Sequence, residues 1–323
     1  MSDRKLSALC EHILGKARLE EADVRALRRE VFEDGQISIN EADQLFRINH
    51  LPHKPESWDR LFVEAITHFL VRQTMPYGYV DRANAAWLMA RIDHDGVVET
   101  QTELELLLYI LEQAKSAPEE LEVYALDQVI RAVVIGRGAV AHGRELKPGV
   151  IGKAEVDLLR RILYANAGEG GVGISRHEAE KLFELNDALE DADNDESWQF
   201  LFVRAIANHL MMLAAWQAPD RDEALRRERW LEQKEGRFVL PSFKGFGAAF
   251  KSMFKEEDGP TYSILEQGQL QQAEKITDTE ARWLIERLNR DGRLSTNEKA
   301  LLQFLKQECP DLHENLKPYI QAA

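Results

Sequence analysis

Residues 34–42 read Asp34-Gly35-Gln36-Ile37-Ser38-Ile39-Asn40-Glu41-Ala42, a tight turn followed by the start of a helix. The glycine ends one helix in a left-handed conformation, and the Ser-x-x-Glu spacing is a capping box for the next. The same Ser/Thr-x-x-Glu spacing recurs at Thr100–Glu103, Ser175–Glu178 and Ser295–Glu298. Because apolar residues with helical spacing flank all four turns, we predict an all-α protein.

The second half of the chain repeats the order of the first. The matched stretches are 22–29 with 154–161, 41–49 with 178–186, 57–66 with 197–206 and 87–96 with 283–292. This order predicts an internal duplication that gives two homologous helical-bundle domains. The predicted limits are 1–135 for the first domain, 136–149 for a linker and 150–323 for the second domain, with an insertion at 217–277.

The composition restricts the class of partner. The 323 residues include 41 Lys and Arg against 56 Asp and Glu, which gives a formal net charge of −15. An acidic excess repels phosphate backbones and argues against nucleic acid. The two cysteines, Cys10 and Cys309, lack CxxC spacing, and no signal peptide or membrane-spanning run is present. We therefore expect a cytoplasmic protein, which a peripheral contact could bring to the membrane.

The four turns have a second interpretation, as loops that bind a divalent cation. An EF-hand loop has Gly at position 6 and a bidentate Glu at position 12, the spacing of Gly35 and Glu41. The leading positions fit poorly, since Phe32 and Arg287 stand where oxygen ligands are needed. We expect helix caps and keep a divalent cation as the alternative. The candidate ligands are Asp34, Glu41, Asp93, Asp95, Glu103, Asp291 and Glu298.

The order helix, Asp-Gly-x-apolar-Ser-x-x-Glu, helix occurs twice in each half of the chain. This pattern resembles the TerB-like fold of tellurite-resistance proteins, which is distantly EF-hand-like. The third turn departs from this pattern because it lacks the Asp. The resemblance implies acidic helical modules linked to stress responses, metal association and protein complexes at the membrane surface. The positions that carry it are Asp34, Asp95 and Asp291 with Glu41, Glu103 and Glu298.

The insertion contains a basic aromatic segment. Its phenylalanines have helical spacing and lysines around them, a pattern typical of segments that dock on a protein groove or lie in a membrane interface. The alternative is that the phenylalanines cover the protein's own core, because Gly245 and Gly247 weaken an isolated helix. The candidate docking residues are Phe243, Lys244, Phe246, Phe250, Lys251, Phe254 and Lys255.

The sequence contains no HExxH, GxSxG or Walker motif, and these are the patterns of common hydrolytic and nucleotide sites. We therefore predict a non-enzymatic, stress-related interaction or scaffold module. It would dock a protein partner, or the membrane surface, through the insertion. A metal-responsive protein that uses the acidic turns is the second hypothesis, and an enzyme with an unrecognised helical site is the third. The oligomeric state is not fixed by the sequence.

Overall fold

The computed structural model describes most of the chain. The described residues are 2–33, 35–73, 75, 77–93, 96–141, 146–165, 173–190, 192–215, 276–290, 292–308 and 312–322. They fall into two compact units, one within 1–150 and 157–166, the other within 151–156 and 167–323. All regular structure in these residues is helical, apart from an isolated bridge between Tyr79 and Ser116. The predicted all-α class is confirmed.

The first unit contains seven complete α-helices. They are α1 Ser2–Lys16, α2 Glu21–Val31, α3 Ile39–Asn49, α4 Glu56–Thr67, α5 Arg82–Ile92, α6 Gln101–Gln113 and α7 Glu119–Ile135. A π-helix, His68–Arg72, extends α4, and a 3-10 turn, Ala139–Ala141, follows α7. Helix α4 packs against α2, α3 and α6, while α1 packs against α2 and α3.

Helix α8, Lys153–Leu163, has residues in both units. The second unit then contains α9 Arg176–Ala188, α10 Glu196–Ala215, α11 Asp278–Leu288, α12 Thr296–Glu308, a 3-10 turn Glu314–Leu316 and α13 Lys317–Ala322. Helix α10 packs against α9 and α12. Among the helices that the structure describes, none has the length and apolar character needed to cross a bilayer.

Aromatic residues at matched positions form the centre of each core. The ring centroids of Phe46 and Phe62 lie 5.0 Å apart in the first unit, and those of Phe183 and Phe202 lie 5.1 Å apart in the second. Both pairs are edge to face, a favourable arrangement for aromatic rings. The two units thus have equivalent contacts between aromatic rings, as a duplication would produce. The common ancestry of the two halves stays a prediction.

The tryptophans that the sequence assigns to the core differ in burial. Trp58, Trp198 and Trp283 are buried, as predicted. Trp87 is only half-buried, and the central guanidinium carbon of Arg91 lies 5.3 Å from its ring centroid. This side chain therefore covers the edge of the core and is not one of its central anchors.

The predicted left-handed glycines are present at three turns. Gly35, Gly96 and Gly292 have φ angles of +72°, +83° and +78°. Residues with a Cβ adopt such angles only at a steric cost, so glycine is required where the helix ends this abruptly.

Candidate functional site

Side chains hold the backbone of the first turn. The Ile37 N–H donates to Gln73 Oε1 across 2.6 Å, and Gln73 Nε2 donates to the Ile37 carbonyl across 2.8 Å. Gln73 directly follows the π-helix, which ends at Arg72. The predicted capping box is present, because Glu41 Oε2 accepts from the Ser38 N–H at 2.8 Å and Ser38 Oγ accepts from the Glu41 N–H.

The third turn is built in the same way. Asn208 Oδ1 accepts from the Ile174 N–H at 2.8 Å, and His209 Nδ1 lies 2.9 Å from the Ile174 carbonyl oxygen. The Ser175–Glu178 capping box is also present. Burial lowers the pKa of His209, so the neutral ring donates Nδ1–H to the carbonyl. This histidine therefore has a structural role in the turn.

The second turn is held by helix α7. Gln128 Oε1 accepts from the Val98 N–H at 2.8 Å, and Arg131 Nη1 donates to the Gly96 carbonyl at 3.0 Å. Asp93 Oδ1 accepts from the Gly96 N–H at 2.6 Å. The guanidinium of Arg131 thus places a positive charge beside this turn, and a positive charge there opposes a bound cation.

Only half of the predicted Thr100–Glu103 capping box forms. Thr100 Oγ1 accepts from the Glu103 N–H at 3.2 Å. The Glu103 carboxylate accepts instead from Asn49 Nδ2, also at 3.2 Å, and its Oε2 has no hydrogen-bond partner among the described residues. Glu103 is fully buried, and its position facing α3 explains why the carboxylate does not reach back to the cap residue.

The fourth turn confirms the predicted cap. Glu298 Oε2 accepts from the Ser295 N–H at 2.7 Å, and Ser295 Oγ accepts from the Glu298 N–H at 3.2 Å. One carboxylate oxygen each of Glu41 and Glu298 is thus bound to backbone. No group of three or more potential His, Cys, Asp or Glu ligands gathers in the residues that the structure describes. The remaining candidates Asp34, Asp95 and Asp291 lie outside those residues, so a metal site stays a prediction.

The predicted docking segment lies in the insertion, between the described ranges 192–215 and 276–290. Its candidates Phe243, Lys244, Phe246, Phe250, Lys251, Phe254 and Lys255 all lie outside the described residues. Its assignment as a docking element therefore rests on its sequence.

An arginine and a carboxylate join matched helices in each unit. Arg91 donates through Nε to Asp43 Oδ1 at 2.8 Å, and Arg287 donates through Nη2 to Glu180 Oε2, also at 2.8 Å. Trp283 Nε1 donates to the other oxygen of Glu180. The side chains of both arginines therefore bind carboxylates, Arg91 on α3 and Arg287 on α9.

A buried asparagine organises the polar centre of the first unit. The Trp58 N–H donates to Asn49 Oδ1 at 3.0 Å, while Asn49 Nδ2 donates to Glu103. The Lys54 ammonium donates to the Asn49 carbonyl, and burial lowers the pKa of this lysine. All functional groups of the asparagine are therefore engaged within the unit.

The matched asparagine of the second unit has different partners. Asn297 Nδ2 donates to Asn186 Oδ1 at 2.7 Å, and Asn186 Nδ2 donates to Ser295 Oγ at 3.2 Å. Gln199 Nε2 in turn donates to Asn297 Oδ1 at 3.1 Å. The Nε1 of Trp198 is buried and has no hydrogen-bond partner in the described part of the chain.

A cavity of about 260 Å³ lies beside these amides in the second unit. The residues that follow α9 and the amino-terminal ends of α10 and α12 line it. The lining includes Trp198, Gln199 and Asn297 together with the carboxylates of Asp195 and Glu196. Hydrogen bonds from the side chain and backbone N–H of Ser197 hold the pKa of Asp195 below its ordinary value, so this carboxylate is ionised at neutral pH.

The sequence alone does not reveal this cavity or the hydrogen bonds beside it. The matched Asn49 and Asn186 were visible in the repeat, and an asparagine at an apolar-facing helical position is a signal of a buried polar contact. Their partners Glu103 and Ser295 are far away in the sequence, so the pattern alone does not show which contacts form.

An exposed aromatic turn precedes α5 in the first unit. Tyr77 and Tyr79 are 60% and 47% exposed, and Met75 is 76% exposed. Backbone hydrogen bonds fix the position of Gly78, which lies between the two tyrosines. The Gly78 N–H donates to the Val71 carbonyl and the Gly78 carbonyl accepts from the Lys115 N–H, both at 2.7 Å. The two rings are thus presented to solvent on a well-anchored backbone.

Comparison of the chain with protein-family models, with curated proteins and with solved structures gave no match.

Proposed function

We propose that the protein is a non-enzymatic interaction module that binds a protein partner through the aromatic turn of its first unit, which carries Tyr77 and Tyr79. The exposed rings of Tyr77 and Tyr79 on a hydrogen-bonded turn carry this proposal. Residues that anchor protein interfaces are enriched in tyrosine, and a rigid anchor loses little conformational entropy on binding.

The charge of the chain indicates the chemistry of the partner. A formal net charge of −15 favours a basic partner surface and speeds its approach. Tyrosine rings also attract the cationic groups of lysine and arginine. The partner expected at this turn is therefore a protein surface that carries Lys or Arg among apolar residues.

Several side chains of the kinds that often act in catalysis form hydrogen bonds that stabilise turns and helix caps, and this supports an interaction role. His209 binds a turn carbonyl, and the carboxylates of Glu41, Glu178 and Glu298 accept from backbone N–H groups. The TerB-like resemblance and the aromatic segment 243–255 point in the same direction. In this proposal that segment is a second docking element, for the partner or for a membrane surface.

The test is affinity purification of the full chain from cells, followed by quantitative mass spectrometry and measurement of binding with the purified partner. The Tyr77→Ala/Tyr79→Ala variant should lose the partner, and binding by the wild type should weaken as salt rises. Phe200→Ala is the matched control, because Phe200 is an aromatic residue of the second unit with 56% exposure. Equal capture by the double variant and the control would reject the aromatic turn as the docking site.

Deletion of residues 243–255 tests the second docking element independently of the aromatic turn. Loss of partner or vesicle binding in this variant, with unchanged helical content, supports the role of the segment. Retained binding to both the partner and the vesicles would reject a docking role for the segment.

A further inference from the structure

The chain leaves the aromatic turn as a short extended segment, residues 79–81, which we call the edge segment. Tyr79 forms the isolated parallel bridge with Ser116, and Asp81 has an extended backbone with a φ of −81° and a ψ of 169°. Exposure alternates along it, because Tyr79 and Asp81 are exposed while Val80 between them is buried. Such alternation is typical of a strand that packs one face on the core.

One side of the edge segment is already paired. The Val80 N–H donates to the Ser116 carbonyl at 3.0 Å, and the Gly78 carbonyl accepts from the Ser116 N–H at 3.4 Å. Backbone groups of successive residues in an extended chain point to opposite sides, so the N–H and carbonyl of Tyr79 and the N–H of Asp81 point away from Ser116. These three groups have no hydrogen-bond partner among the described residues. Because buried backbone groups are nearly always paired, unpaired groups on exposed residues face solvent.

A free side of this kind fits an extended peptide. A peptide that aligns beside the edge segment exchanges hydrogen bonds with the N–H and carbonyl of Tyr79, as in the addition of a β-strand to a sheet edge. A helix cannot bind in this way, because its backbone groups are already paired within it. The backbone geometry therefore selects an extended segment of the partner over a helical one.

The side chains of the edge segment select the charge of that peptide. Tyr79 and Asp81 are two residues apart in an extended chain, so their side chains lie on the same face. The exposed Asp81 carboxylate attracts a cation, and the ring of Tyr79 attracts the same group through its π-face. The adjacent Arg82 does not cancel this attraction, because its own charge is paired with Glu120 at 3.5 Å.

We infer that the aromatic turn binds its partner by strand addition: an extended segment pairs with the backbone of Tyr79 and places a Lys or Arg side chain over Tyr79 and Asp81. This inference rests on the proposed interaction role of the turn, and it adds the conformation and the charge of the bound segment.

The exchange of the Tyr79 N–H with water, measured on the full chain, tests the strand addition. The protein has 7 tyrosines, so ¹⁵N-tyrosine labelling gives few backbone amide signals, and the Tyr79→Phe variant assigns the one of interest. The probe is a synthetic seven-residue peptide of alternating valine and lysine with blocked ends. Two further peptides, one N-methylated at every valine and the other at every lysine, each lack the N–H donors of one peptide edge.

Peptide at ten times its dissociation constant should slow the exchange of the Tyr79 N–H about tenfold, because only about one tenth of the protein is then free. The Tyr109 N–H, which lies within α6, is the internal reference and should keep its rate. One of the two N-methylated peptides should bind as the parent does, and the other should lose its binding. An unchanged Tyr79 rate at millimolar peptide would overturn the inference, and so would equal binding of all three peptides.

The Asp81→Asn variant tests the charge. Asparagine caps a helix as well as aspartate does, so α5 should stay intact. The lysine peptide should bind this variant about threefold more weakly, which is the range of an exposed ion pair. A peptide with glutamate in place of lysine should not bind the wild type. Equal affinity of the wild type for the lysine and glutamate peptides would overturn the assignment of a basic segment.

The proposed function and this inference fail separately. If the Tyr77→Ala/Tyr79→Ala variant loses the captured partner while no peptide slows the exchange of the Tyr79 N–H, the turn is a docking site and strand addition is wrong. If the peptide slows that exchange while the double variant keeps the partner, the free side binds peptides and the proposed function of the turn is wrong.

Discussion

Asn49 accepts from the Trp58 indole N–H across 3.0 Å and donates to the Glu103 carboxylate across 3.2 Å. This asparagine therefore links α3, α4 and α6 through a single buried side chain. A buried polar group that loses its partner is costly, so Asn49 should be one of the most sensitive positions of the first unit.

Replacing Asn49 by leucine should lower the free energy of unfolding by roughly 3 kcal/mol, because it leaves a buried N–H and a buried carboxylate without this partner. Urea denaturation measures the change. Asn40→Leu is the matched control, an exposed position on the same helix, and should change the free energy by less than about 0.5 kcal/mol. Equal effects of the two substitutions would show that the buried amide contributes nothing.

The capping glutamates should tolerate an amide. Glutamine also serves in capping boxes, so Glu41→Gln and Glu298→Gln should each change the free energy of unfolding by less than about 1 kcal/mol, whereas Ser38→Ala should cost about 1 kcal/mol. Millimolar calcium should leave the melting temperature of all these proteins unchanged. A calcium-dependent rise in the wild type that disappears in the glutamine variants would instead establish a metal site.

His209 should make the protein sensitive to acid. Burial lowers its folded-state pKa below the ordinary 6.5, so below that pH the unfolded chain binds a proton that the folded protein excludes. Its stabilising contribution is therefore present above pH 6.5 and is lost as the pH falls. Urea denaturation from pH 7 down to pH 5 should show a smaller loss for His209→Gln, which lacks the titrating ring. Parallel curves for the two proteins would contradict this assignment.

The Cys10 thiol should be inert in the folded protein. Burial is the main cause that raises its pKa from 9.0 to about 12, and only the thiolate is nucleophilic. In a Cys309→Ser background, a thiol reagent should modify Cys10 no faster than the protein unfolds, while urea-denatured protein reacts at once. Since the unfolded thiol ionises near pH 9 and the folded one does not, stability should fall as the pH rises from 9 towards 12. Rapid modification of the native protein would refute this view.

Ala17 has a φ of +53° at the end of α1, a left-handed conformation that is unfavourable for a residue with a Cβ. Ala17→Gly should therefore raise the free energy of unfolding by about 1 kcal/mol. The same substitution at the exposed Ala8, inside α1, should lower it by about 1 kcal/mol because glycine is a poor helix former. Melting curves of the two variants should move in opposite directions, and a shift of both to lower temperature would exclude the strain at Ala17.

Local sequence patterns predicted the helices and most of their caps. Ser38, Ser175 and Ser295 bind the N–H of the glutamate three residues later, because both partners lie within one helical turn. The prediction was incomplete at Thr100, where the Glu103 carboxylate turns towards Asn49, 54 residues away. A four-residue pattern does not show that a distant side chain competes with the cap residue for the glutamate carboxylate.

The hydrogen bonds beside the cavity of the second unit could not be predicted from the sequence. The repeat aligns Trp58 with Trp198 and Asn49 with Asn186, and equal residue types give no reason to expect different hydrogen bonds. The difference comes from Asn297, which reaches Asn186 across 111 positions of the chain.

The sequence by itself determined the all-helical class, the positions of the glycine turns and the caps at Ser38, Ser175 and Ser295. These features follow from apolar periodicity, glycine stereochemistry and hydrogen bonds within one turn, all of which act over a few residues. Only the tertiary structure decided that the Trp58 N–H is satisfied and the Trp198 N–H is not. That outcome depends on which distant side chains reach the same buried space, because a buried donor is satisfied only by an acceptor within about 3 Å.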